Sequence, residues 1–273
     1  MSQPPGDTAP QPPYAAAIGV ADISECYYYH TMEVPGHGVV AGEWDLRLGV
    51  DDYLGHENVA GKRVLEIGTA SGFMCFEMER RGADVVAYDL SPAYAWDVVP
   101  YAGLDMRDEL QRRREHIMRL NKSWWYNHRA FGSRANALYG TAYAIPPSIG
   151  AIDLCTFGAI LLHLRDPFLA LQNAAALQPA TIVVTELAQR PSPRSALSLL
   201  AGPAHRRSPL FLPNAAKGEP RDAWWSFTPE SISNMLAILG YETIRAGRHA
   251  QLYAKRRTPM FTVVAQRAAT RAR

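Results

Sequence analysis

The sequence predicts an α/β fold built on a doubly wound, largely parallel sheet. Three observations carry that prediction. A short apolar run, KRVLEIG, ends in glycine, and TASGFMCFEMERRG follows with apolar residues at helical spacing; DVVAYDL then has the β-branched character of a second strand. Strand, tight turn, helix and strand within some thirty residues form a βαβ unit, whose crossover is right-handed and whose strands are parallel.

The alternation continues along the chain. A helix is expected over 104–120, where five arginines face four acids, so its charge reads as a solvated face rather than a binding stripe. A third strand is expected at ANALYG (135–140) and a fourth in AIDLCTFGAIL (151–161). PFLALQNAAALQP is an amphipathic helix stopped by Pro179, and TIVVTEL (181–187) is a strand. The stretch 188–226 is rich in proline, serine and arginine, without period, and is expected to be an active-site insertion. TPESISNMLAILGYE begins with Thr228 as N-cap and Pro229 in the first turn, with Glu230 or Ser231 at dipole-favoured positions, and stops at Gly240. Two closing strands, near 241–246 and 260–266, flank a basic hairpin-like turn.

Ahead of the βαβ unit, residues 1–13 contain five prolines and little that can pack, so a disordered tail is expected. Residues 14–60 are aromatic, polar and broken by glycine and proline, which reads as a lid or substrate segment. The main domain then runs over 61–267, and 268–273 form a basic tail.

The chain has 273 residues, 48% hydrophobic and 20% charged, enough for one large core. A net charge of +2 gives no global reason to expect a nucleic-acid partner. Cys26, Cys75 and Cys155 are widely spaced and odd in number, with no zinc or disulfide pattern. No stretch is apolar for long enough to span a bilayer, and the N-terminus lacks a signal-peptide pattern, so a cytoplasmic chain is expected.

The most informative segment is VLEIGTASG (64–72). Gly68 permits a tight strand-to-helix turn, while Ala70, Ser71 and Gly72 let a ligand approach outward-pointing helix amides. Asp89, 21 residues after Gly68, stands where a carboxylate can accept hydrogen bonds from a ribose diol. A dinucleotide fingerprint needs small residues at its first, third and sixth positions, but here Gly68 and Ala70 are followed by the bulky Phe73. Glu66 also sets a carboxylate beside the place of a pyrophosphate, where like charges are costly. A ligand ammonium group suits it better.

Glu66, Gly68, Ala70 and Gly72 resemble the first motif of the class I S-adenosylmethionine-dependent methyltransferases. YYHTMEVPGHGVVAGEWDLR (28–47), FGAILLHLRDP (157–167) and DAWWSFTPESISNMLAILGYE resemble, more narrowly, the tRNA wobble-uridine carboxymethyl transferase-like family. The resemblance implies a Rossmann-like sheet of seven strands ordered 3-2-1-4-5-7-6, the last antiparallel. It also implies S-adenosylmethionine as cofactor and S-adenosylhomocysteine as product, held by Glu66, Gly68, Thr69, Ala70, Gly72, Asp89, Leu90, Thr141, Ala142 and Phe157. Relatives often carry an acid after the glycine of the third strand, whereas Thr141 follows Gly140 here.

For chemistry, His163 follows the fourth strand at the carboxyl edge, either as a general base or as a histidine satisfying backbone groups. His30 and Glu33, with His37, either face the acceptor or cap a loop; their irregular spacing does not read as a metal site. Trp124, Trp125, Tyr126 and His128, or Trp224 and Trp225, could wall a pocket or pack in the core. Arg165 could pair with Asp166 or a helix end. Eight basic residues and no acid follow Thr243, including consecutive Lys255, Arg256 and Arg257. The expected function is methyl transfer to oxygen or nitrogen of a small biosynthetic acceptor. Modification of tRNA and a non-catalytic S-adenosylmethionine-binding domain are the alternatives, nucleic acid being the less favoured partner; the oligomeric state is left open.

Overall fold

The computed structural model describes residues 14–94, 96–188 and 208–269. The proline-rich tail over 1–13, residues 189–207 of the expected insertion and residues 270–273 of the basic tail lie outside the described residues.

Strands β1 (Met32–Val34) and β2 (Gly38–Val40) form a small hairpin. The main sheet comprises β3 (Trp44–Asp45), β4 (Arg63–Ile67), β5 (Asp84–Asp89), β6 (Asn136–Tyr139), β7 (Leu154–Gly158), β8 (Thr181–Leu187), β11 (Tyr241–Tyr253) and β12 (Arg256–Arg267). A second small pair, β9 (Leu210–Phe211) and β10 (Trp225–Ser226), lies outside it. The main sheet runs β3-β11-β12-β8-β7-β4-β5-β6. Strands β6, β5, β4, β7 and β8 are parallel, and β12 enters antiparallel to β8. From β6 to β11 this is the expected order, but the sheet has eight strands, not seven. The eighth, β3, comes from the segment read as a lid: Trp44 pairs with Tyr253 and Asp45 with Leu252, so this part of 14–60 completes the sheet edge.

Helices cover both faces. Helix α1 (Val50–Tyr53) is one turn; α2 (Phe73–Arg80) and α3 (Met106–Phe131) pack with the N-terminal segment on one core, and α4 (Pro167–Ala176) and α5 (Pro229–Ile238) on the other. Helix α3 has 26 residues and outruns the expected 104–120. Asp105 starts it by accepting hydrogen bonds from the amides of Arg107 and Asp108, and Ile117, Leu120 and Trp124 continue one buried stripe until Gly132, at φ +59°, ends it. Thr228 caps α5 as expected, with Ser231 as its reciprocal partner: each backbone amide donates to the other's hydroxyl at 3.0 Å. Ala254 and Lys255, both at positive φ, make the two-residue turn between β11 and β12.

Asn127, fully buried on α3, ties three parts together. Its Oδ1 accepts from the Tyr28 hydroxyl at 2.8 Å, and its Nδ2 donates to the Ser71 carbonyl at 3.1 Å. The N-terminal segment, the long helix and the turn after β4 thus share one side chain. Replacing it by leucine keeps the branched shape but strands a buried hydroxyl and a carbonyl, each costing about 1–3 kcal/mol. We therefore expect Asn127→Leu to lose about 2–4 kcal/mol of stability in urea unfolding, with Tyr28 more accessible; a change under about 0.5 kcal/mol would contradict this linkage.

Candidate functional site

The carboxyl ends of β4 and β5 carry the site. After Ile67 the chain turns at Gly68 (φ +85°) and Ala70 (φ +50°). At this φ a side chain is strained, and a Cβ on Gly68 would also have to displace the Ile160 Cδ1 methyl, 2.7 Å away, so the turn favours glycine. Asp89 fixes the turn: Oδ2 accepts from the Ala70 amide and Oδ1 from the Leu90 amide, both at 2.7 Å. Burial raises its carboxyl above the ordinary aspartate value while the two amides oppose the shift. Each oxygen keeps a free lone pair.

The turn opens into a cavity of about 820 Å³. Of the residues expected to hold a cofactor, Gly68, Ala70, Asp89, Leu90, Thr141 and Ala142 line it. The other four are placed differently. Gly72 (φ +92°) caps α2, and a Cβ there would meet Phe76 at 2.4 Å and Trp124 at 2.8 Å, so its smallness serves packing. Thr69 is buried with its side chain beside the Glu66 carboxyl, and Phe157 is buried in the core. Glu66 faces away, onto a separate cavity of about 20 Å³ shared with His30 and Phe157. Burial lifts the Glu66 carboxyl to about 8, so it is protonated at neutral pH. The charge attributed to it from sequence is therefore not expressed in the free protein; the steric argument from Phe73 stands alone.

His163 lines the large cavity. Its Nδ1 is hydrogen-bonded to the Asp222 carbonyl, so that nitrogen carries the proton and Nε2 keeps its lone pair. Burial lowers its pKa below the ordinary histidine value, opposed by the Asp222 contact. His30 is elsewhere: its amide donates to Ser71 Oγ at 3.1 Å, and burial pushes its ring down to about 4. Glu33 is exposed on β1, and His37 Nε2 sits 2.5 Å from the Tyr126 hydroxyl, so the three do not assemble. Among the described residues no group of three or more histidine, cysteine or acidic side chains could hold a metal.

The aromatic residues singled out from sequence fall outside the cavity wall. Trp124 stacks on His128, Trp125 Nε1 donates to the Tyr139 hydroxyl, and Trp224 Nε1 donates to the Asp97 carbonyl at 2.7 Å. Arg165 lies over Trp224, while Asp166 caps α4 by accepting from the Leu169 amide. The wall is instead supplied by Trp96 and Asp97 beyond β5 and by one face of α3. Arg113, His116, Ile117, Leu120 and Asn121 lie on that face, so the helix read as merely solvated presents part of the site. The spacing 113, 116, 117, 120 was the available signal, masked by the surrounding charge. From the expected insertion over 188–226, Ala188, Asp222 and Ala223 reach the cavity. Among the described residues no helix is long and apolar enough to cross a membrane.

Residues 46–246 match a family described as a methyltransferase domain. Among solved structures, the chain is similar to the 1,6-didemethyltoxoflavin N1-methyltransferase of Burkholderia thailandensis, with 14% identity over 82% of this chain and 78% of that one, and a TM-score of 0.50. It is also similar to magnesium protoporphyrin IX methyltransferase of Synechocystis, with 14% identity over 82% of each chain and a TM-score of 0.47. A third, a methyltransferase of Methanosarcina mazei, shares 16% over 78% of this chain and 95% of that one, at 0.48. No curated protein matches the chain. At such identities the solved structures speak to fold alone, but the family match spans most of the sequence, including the turn at Gly68 and the strand end at Asp89: this chain belongs to the methyltransferase-domain family.

Proposed function

We propose that this protein is an S-adenosylmethionine-dependent methyltransferase acting on an oxygen or nitrogen of a small molecule. The observation that carries the reading is the Asp89 carboxylate, half-buried at the end of β5 with lone pairs left for a ribose diol, beside a turn whose positive φ at Gly68 favours glycine. Thr141, Ala142 and Leu90 offer the adjoining wall for an adenine. The cavity, about 820 Å³, has room for a nucleoside and a small acceptor together. A neighbour of the same fold was solved with S-adenosylhomocysteine and a small-molecule acceptor.

S-adenosylmethionine supplies an electrophilic methyl group on a sulfonium. The chain's own part is to align the acceptor, exclude water and take up a proton. His163 suits the last task, because the Asp222 carbonyl fixes its tautomer and leaves Nε2 to receive the proton of an acceptor hydroxyl or amine. Burial keeps the imidazole neutral at neutral pH, ready as a base. Among the described residues the lining also weighs against a polyanionic acceptor such as tRNA: Glu43, Asp89, Asp97 and Asp222 stand against the cation Arg113. His30 and Glu33 do not line this cavity, so the reading assigns the proton to His163 alone.

Asp89→Ala should weaken S-adenosylmethionine binding at least about tenfold in calorimetry, since charge-assisted hydrogen bonds contribute about 1.5–3 kcal/mol each. Unchanged affinity would remove the site assignment. His163→Asn, which can still donate to the Asp222 carbonyl, should lower kcat by about 10²–10⁴ while leaving cofactor affinity intact. In the parent protein the acid limb of kcat/KM should fall with a midpoint below the ordinary histidine value, because a base with a depressed pKa is lost only as pH drops through that lowered value. A limb centred above 6.5 would exclude His163 as the group being titrated.

A further inference from the structure

Strand β3, the addition that extends the sheet to eight strands, brings an aromatic corner to the cavity wall. Pairing of Trp44 with Tyr253 sets their rings 4.8 Å apart at 41°. Trp44 Nε1 donates to the Tyr29 hydroxyl at 3.2 Å, which fixes a third ring beside them. Glu43, the residue before Trp44, accepts a hydrogen bond from the Tyr27 hydroxyl, and it lines the same cavity as Tyr29, Trp44 and Tyr253. Burial, then Glu43, pushes the Tyr27 hydroxyl up to about 12 and raises Tyr253 as well, so neither phenol ionises to crowd the carboxylate.

Among the described residues the cations near this corner are engaged elsewhere: Arg119 donates to the Cys26 carbonyl at 3.0 Å and lies over the outer Tyr27 ring at 5.7 Å. Arg113 is committed to Glu109 at 2.9 Å, to Asp222 at 3.4 Å and to the face of Trp96 at 5.0 Å. Burial lowers His116 and His163 below the ordinary histidine value, so both are neutral at neutral pH. Asp97 accepts from the Tyr143 hydroxyl and the Arg165 amide. Lys255, Arg256 and Arg257 lie at the exposed tip of the hairpin beyond Tyr253, where solvent and salt screen them. Aromatic faces grouped around a carboxylate attract an organic cation through ring quadrupoles and direct charge.

We propose that Tyr29, Trp44, Tyr253 and Glu43 form a specificity corner that seats an ammonium group on the acceptor, making an amine-bearing compound the preferred substrate class. The inference rests on the cavity being the acceptor site of a methyltransferase. It assigns substrate choice to the edge strand, apart from the turn that would hold the cofactor.

Three phenols of nearly equal size separate the terms: tyramine is cationic, 4-ethylphenol neutral and 3-(4-hydroxyphenyl)propionate anionic. Their binding to the full chain, followed by calorimetry with and without S-adenosylhomocysteine, reads the corner directly. Tyramine should bind about tenfold or more tighter than 4-ethylphenol, and the anion weakest. Glu43→Gln should abolish the preference for tyramine while leaving 4-ethylphenol affinity unchanged, and Glu43→Asp should restore part of it. Tyr253→Leu, at an exposed position, should also reduce tyramine binding with the unfolding midpoint unchanged. Equal affinity for the three phenols, tighter binding of the anion, or a tyramine preference that survives Glu43→Gln would each overturn the proposal. Failure of S-adenosylhomocysteine to bind would instead strike the methyltransferase reading, and tyramine binding without it would still decide the corner.

Discussion

The turn after β4 exists in its observed shape because one half-buried carboxylate holds it. Asp89, at the end of the neighbouring strand, accepts the amides of Ala70 and Leu90 and so binds two strand ends to one point. Positive φ at Gly68 and Ala70 aims successive backbone groups at the cavity, a conformation that costs energy for an alanine and persists because the surrounding contacts over-determine it. Everything on the ligand side follows from that arrangement. Ile160 closes against Gly68, and Thr141 and Ala142 sit across the crevice where the parallel strands end.

A second constraint operates behind the turn. Asn127 and Ser71 hold the N-terminal segment against α3 and the turn, through Tyr28 and the His30 amide respectively. A stretch with little regular structure thereby becomes a wall, and its last piece, β3, is carried to the far end of β11. On the opposite side, residues 221–224 are held by the Val99 amide, which donates to the Arg221 carbonyl, and by the bond from Trp224 to the Asp97 carbonyl. That strap is what supplies the Asp222 carbonyl to His163.

Burial governs the charges of the site more than pairing does. Glu66 and Glu186 are both raised to about 8 by desolvation, although Glu186 accepts from the Leu161 and Leu162 amides. His30 and His163 are shifted toward the neutral form for the same reason. The interior behind the turn, at Glu66, His30 and Glu186, is therefore largely uncharged, whereas Asp89, Asp97, Asp222, Glu43 and Arg113 line the large cavity.

Local pattern in the sequence determined the succession of strands and helices, the Thr228 cap, the glycine turn and the placement of Asp89, because each rests on periodicity or backbone preference within a few residues. It also marked His163 at the carboxyl edge of β7. Folding decided the rest. That Glu66 turns inward and holds its proton, that one stripe of the charged helix α3 faces the cavity, and that Trp124 and Trp125 pack in the core all depend on neighbours far away in the chain. The eighth strand is the plainest case: Trp44 and Asp45 are too short a run to show a strand pattern, and they become an edge because β11 runs long enough to offer them unpaired backbone groups.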